Sequence, residues 1–226
     1  IYLSSNKITR LRFYLIYIVT IIFYCIFWWL VPIISLVIFL LLSSYHFGES
    51  QLVDYSFAFK KRIIYLFWGF ALLSTLILYN NNELLSLSNQ FIDTQIFSQV
   101  FNILIFKYIF YSSNAIIISM LIFENYKLSI SNQQLMNEIF LLILIHITFY
   151  LFPIIISFTL YFIFLHSIKV LKQEFDYLKS LQSDLNLFKF IKLLYPHTLL
   201  SIIFLAIFLL LINFGYINIS VFLFSI

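Results

Sequence analysis

Charge is what this chain has least of: Asp, Glu, Lys and Arg make up 10% of it, against 63% hydrophobic residues. A soluble domain cannot cover its surface with so little charge, and a mean hydropathy of +1.05 assigns the chain to lipid. Alternation is missing as well. Residues 33–42 and 202–211 are apolar at almost every position, whereas a membrane barrel strand would alternate over about 10 residues. The fold class that remains is all-α, a polytopic transmembrane helical bundle. The single cysteine, Cys25, excludes a disulfide within the chain and reads as a packed thiol in an apolar run. No two of the four histidines lie closer than 20 residues, which counts against the closely spaced histidine boxes of desaturase-type diiron enzymes. The net charge of +4 does not indicate a nucleic-acid partner, because the basic residues gather in particular loops, as membrane orientation requires.

Two apolar blocks are too long for one span each. As a single helix, residues 13–48 would extend about 54 Å, far beyond the roughly 30 Å of hydrocarbon. Pro32 divides that block into helices 13–30 and 33–48, with Trp28 and Trp29 suited to the interface, and Pro153 divides the second into 137–152 and 154–171. With 63–79, 101–123 and 192–214, the count is about seven spans. Basic residues support the division. Lys7, Arg10 and Arg12, then Lys60, Lys61 and Arg62, then Lys172, Lys179 and Lys189 fall on one side, while the 80–100 loop carries Glu83 and Asp93 and no Lys or Arg. The basic side is cytoplasmic by the positive-inside rule, and the expected location is the inner (cytoplasmic) membrane. Residues 1–226 read as one integral membrane domain, clipped at both ends because the chain opens on Ile1 and stops inside an apolar run at 217–226.

That topology places three histidines, His46, His166 and His197, at one depth, roughly 4–8 Å inside the cytoplasmic edge. Imidazole is the commonest metal ligand, and an ionisable group inside a span is a functional site by default. The three are therefore candidate metal ligands. Glu49 follows His46 by three residues in Ser43-Ser44-Tyr45-His46-Phe47-Gly48-Glu49-Ser50-Gln51, where its carboxylate can accept the second N–H of an imidazole. Gly48 serves either as a C-terminal cap or as a point of close backbone approach. Pro196 frees a carbonyl one turn back and bends the helix that carries His197. His146, Asn114 and Tyr111 fall mid-span; with Tyr45 they are candidate cavity-lining residues, although for His146 the favoured reading is a packing role bonded to a neighbour such as Asn114.

Three stretches carry a resemblance: Tyr45-His46-Phe47-Gly48-Glu49, the segment from Tyr161 to His166-Ser167 with Lys169, and Pro196-His197-Thr198. In that order they resemble the membrane-embedded Brp/Blh family of β-carotene 15,15′-dioxygenases, which make retinal for microbial rhodopsins. The resemblance implies a non-haem Fe(2+) held by histidines, O2 as co-substrate, and cleavage of the central double bond of β-carotene taken from the bilayer. It also implies an earlier Pro-His-Gly-x-x-Asp segment, which this chain does not contain, and in many members a histidine at the position of Val170. Two other readings compete. A transporter or metal-ion permease would spread ionisable groups through the bilayer and show internal repeats; only His146 and Lys107 approach that pattern. A different histidine-ligated membrane oxidase is the other.

Overall fold

The computed structural model describes residues 7–88, 103–182 and 184–214. The apolar run at 217–226 and Asp93 lie outside the described residues. Among the described residues the chain is almost wholly helical, with no strands. Its helices are α1 (Lys7–Leu30), α2 (Pro32–Leu52), α3 (Lys61–Tyr79), α4 (Asn81–Ser88), α5 (Ile103–Tyr126), α6 (Asn132–Leu151), α7 (Ile154–Leu181) and α8 (Leu187–Asn213).

Both proline breaks are real. Pro32 opens α2 within its first turn, and Pro153 occupies the N-cap of α7, positions where a fixed φ and a missing N–H cost nothing. The number of spans is a correction. Among the described residues five helices are long and apolar enough to cross a membrane, in place of about seven: those over Ile33–Leu52, Lys61–Tyr79, Asn132–Leu151, Ile154–Leu181 and Leu187–Leu211. The apolar part of α1 is the shorter Leu15–Trp28, and α5 interrupts its apolar run with Lys107, Ser112, Ser113, Asn114 and Glu124. Several helices also outrun their expected ends. α6 starts at Asn132 because Ser131 and Gln134 form a reciprocal capping box. α7 continues to Leu181 because Ile168, Leu171, Phe175 and Leu178 keep a helical spacing among the charges.

α2, α3 and α5 form the centre. Two glycines make the α2–α3 contact: a Cβ on Gly48 would lie 1.8 Å from the Tyr65 carbonyl oxygen, and one on Gly69 1.8 Å from that of Ser44. The helices thus touch backbone to backbone, the close approach that small residues permit between membrane helices. Gly48 is therefore a contact point and no cap, since α2 runs on to Leu52. Around this pair Tyr65, Trp68, Leu72, Ile117, Leu121, Ile145, Phe149 and Tyr161 bury together. α5 adds a hydroxyl pair across to α3, Ser74 to Ser113 at 3.1 Å. α8 reaches the rest through Phe190, edge-on to Phe175 at 5.4 Å.

Carboxylates tie the ends. Glu124, with no exposed surface, accepts the backbone N–H groups of Ala58 and Phe59 at 2.7 and 2.8 Å. At the far end Glu83 accepts from the Ile154 N–H at 2.7 Å, and Asn80 donates to the Phe149 carbonyl. α7 therefore starts beside the end of α3 and finishes beyond the end of α2. Reporter fusions at Asn81 and Ser180 should consequently report opposite faces of the membrane, Ser180 on the basic, cytoplasmic side; two fusions on one face would overturn this topology.

Candidate functional site

The last two turns of α2 lie against the first turns of α3, held there by Gly48. On α7 the segment Tyr161–Ser167 winds as a π-helix, a wide turn that recurs at functional sites, and His166 sits in it. The two elements bring His46 and His166 together, ring centroids 5.4 Å apart and planes 72° across. His166 is buried, 8% exposed, and His46 is exposed. Phe47 and Phe162 wall the His166 ring at 5.0 and 5.2 Å, and Tyr161 stacks on it at 6.4 Å.

Polar contacts hold this corner rigid. Ser50 Oγ lies 3.1 Å from His166 Nδ1, and the same hydroxyl donates to the Phe47 carbonyl at 2.9 Å. Lys169 donates to the Gln51 carbonyl, and Gln173 to the Ser50 carbonyl at 3.3 Å and to Asp54 at 2.9 Å. The terminal carbonyls of α2, which have no partner inside their own helix, are thus taken by α7. His166, Lys169 and Gln173 share one face of α7 by their spacing. Glu49 does not reach an imidazole; its carboxylate accepts from the Tyr45 hydroxyl at 3.2 Å. The contact expected of Glu49 is made by Ser50.

Sequence reasoning missed Glu138. It is 2% exposed, and its carboxylate accepts from Gln51 at 2.8 Å, Tyr55 at 2.9 Å and Trp68 at 3.2 Å. It binds α2, the following loop and α3 to α6. Burial, with Glu138 beside it, pushes the Tyr55 phenol above its usual range, so Tyr55 stays a donor at any physiological pH. The signal was available: an acidic residue opening an apolar run is costly in lipid unless it is paired.

His146 lies in the second half of α6, where Tyr79, the last residue of α3, meets its Nδ1 at 3.0 Å and Asn114 Oδ1 meets its Nε2 at 3.1 Å. Asn114 in turn donates to the Phe110 carbonyl at 3.0 Å. Both ring nitrogens of His146 are therefore engaged. The stretch of α3 from Tyr65 to Tyr79, roughly 21 Å at 1.5 Å per residue, separates this cluster from the His46–His166 corner. Tyr111 is 65% exposed on α5, its ring against Phe110. Tyr45 stands at the corner itself, edge-on to Tyr65 at 6.1 Å.

His197 is on α8, one residue past Pro196, and its side chain lies outside the described residues. Among the described residues no three His, Cys, Asp or Glu side chains gather closely enough to hold a metal ion. The corner supplies two imidazoles, a donor type that suits iron with positions left open.

Residues 2–226 match the family model described as beta-carotene 15,15'-dioxygenase. No curated protein and no solved structure matches the chain. A match over that length leaves one conclusion: the chain belongs to the β-carotene 15,15′-dioxygenase family.

Proposed function

We propose that this chain cleaves the central 15,15′ double bond of β-carotene with O2, giving two molecules of retinal, at an Fe(2+) held by His46, His166 and His197. The observation that carries the reading is the His46–His166 pair, 5.4 Å apart at the inner ends of two apolar helices. Val170 follows His166 by one turn, so α7 offers a single imidazole there and α8 supplies the third donor. When bound, ferrous iron supplies the O2 activation that side chains alone do not. The reaction balances without an external reductant: one C=C and the O–O bond break, and two C=O bonds form.

The chain's own residues provide the setting. Phe47, Tyr161 and Phe162 line the corner with apolar surface, which suits a polyene and keeps water from the reacting bond. A carotenoid is all but insoluble in water, so a site between membrane helices takes it directly from the bilayer. Retinal is the chromophore of rhodopsins, which makes a rhodopsin the proposed consumer of the product.

Expression of the complete protein in a β-carotene-accumulating bacterium tests this. The cells should bleach and yield retinal by chromatography, in a ratio of two per β-carotene, and lose the activity with an Fe(2+) chelator or without O2. Unequal apocarotenals would overturn central cleavage, and coloured cells with the protein confirmed in the membrane would overturn the activity.

A further inference from the structure

The hydroxyl of Ser50 has one proton and two neighbours, the Phe47 carbonyl and the His166 ring. Ser50 Oγ donates to the Phe47 carbonyl at 2.9 Å, the back-bond a serine inside a helix makes to the preceding turn. A carbonyl can only accept, so the contact to Phe47 uses the hydroxyl proton. Both contacts form together when Ser50 accepts at the second, 3.1 Å to His166 Nδ1. Neutral imidazole carries its proton on one nitrogen, and this arrangement puts it on Nδ1 and leaves Nε2 a bare lone pair.

We propose that Ser50 is the positioning residue of the centre, fixing His166 as the Nδ1–H tautomer so that Nε2 is the ligating atom. This rests on the iron reading above only for what Nε2 binds; the tautomer follows from the hydrogen bonds. No hydrogen bond to Nε2 forms among the described residues, so the free nitrogen is on the side away from Ser50. The serine itself is kept in place from two directions. Its carbonyl accepts from Gln173 of α7, and the next residue, Gln51, is held through its carbonyl by Lys169 and through its side chain by Glu138. Ser50 and Gln51 are thus tied to the helix that carries His166 by three contacts, one of them to His166 itself. Outer hydrogen-bond partners of this kind set ring orientation and tautomer in metal sites generally; here a hydroxyl replaces the usual carboxylate, and Glu49, the carboxylate next to it, is turned to Tyr45.

The test is nitrogen NMR of the metal-free protein, 15N-labelled at its four histidines and held in lipid, with the His166 signals assigned by their loss in His166→Gln. The expected wild-type pattern for His166 is a protonated Nδ1 and an unprotonated Nε2. Ser50→Ala should shift His166 toward the Nε2–H form, while Ser50→Thr, which keeps the hydroxyl, should retain the wild-type pattern. In a titration with Fe(2+) or Co(2+) alone, Ser50→Ala should bind about 10- to 100-fold more weakly, and Ser50→Thr within a few-fold of wild type. Nε2–H in the wild type, or an unchanged tautomer in Ser50→Ala, would overturn the proposal. The wild-type spectrum decides the matter even if Ser50→Ala fails to fold. A wild-type Nδ1–H pattern with no metal binding at all would leave the tautomer assignment standing and remove the iron reading instead.

Discussion

His46→Ala and His166→Ala are each expected to abolish retinal formation and to lower bound iron, with losses beyond the roughly 10- to 100-fold that follows removal of an outer hydrogen-bond partner. The two rings are 5.4 Å apart, and among the described residues no third His, Cys, Asp or Glu gathers with them to take the place of either. The expected routes differ. His46 is exposed and touches Phe47 and His166, so its removal should leave the fold intact and act on metal and turnover alone. His166 is buried and bonded to Ser50, so its removal also opens a small void and orphans a hydroxyl contact, and about 1–3 kcal/mol of stability should go with it. His146→Ala provides the contrast. Both its nitrogens are occupied by Tyr79 and Asn114 at the opposite end, so it should cost stability and retain much of the activity. Iron content, product yield and thermal unfolding in detergent separate the three variants. Wild-type iron and turnover in His46→Ala would defeat the metal assignment.

Membership of the bundle class was legible from composition, and the two proline breaks from chain length against bilayer thickness. What sequence could not weigh was polar and charged residues that a helix carries on its outer face. Residues 172–181 look like a loop because Lys172, Glu174, Asp176 and Lys179 crowd together, yet the apolar positions between them keep α7 helical to Leu181. Asn132, Gln133 and Gln134 look like loop because they are polar, although Ser131 caps them as a helix start. Depth alone put His46 and His166 at one level; it does not say which helices are neighbours, and the contact needed the α2–α7 struts through Gln51 and Ser50. Glu49 drew the role of imidazole partner by its charge and proximity in sequence. One position further on, Ser50 has the direction that a helix gives it toward α7, and Glu49 does not. Gly48 was ambiguous for a comparable reason: cap and contact use the same residue, and only the partner backbone distinguishes them.

Gly69→Ala and Gly48→Ala should each disrupt the bundle far more than one methyl group suggests. At both positions a Cβ would stand 1.8 Å from a carbonyl oxygen of the opposing helix, Ser44 for Gly69 and Tyr65 for Gly48. A long side chain in the way could swing aside, but a helix backbone cannot, so α2 and α3 must separate or shift along each other. Overpacking in a protein interior typically costs about 1–3 kcal/mol, and a backbone obstacle places these two at or above the top of that range. The consequences run further than stability. Moving α2 off α3 also moves Gln51 from Glu138, Ser50 from His166 and His46 from its neighbour, because all three contacts begin on the last turns of α2. Gly69→Ala, a residue of α3 with no part in the His46–His166 pair, should therefore lower metal binding together with the thermal midpoint. Phe23→Ala on the exposed face of α1, 68% exposed, removes a much larger group and should change neither. Thermal unfolding in detergent with a parallel Fe(2+) titration reads both effects. A Gly69→Ala protein with wild-type midpoint and wild-type metal affinity would mean that α2 and α3 do not cross where their glycines meet.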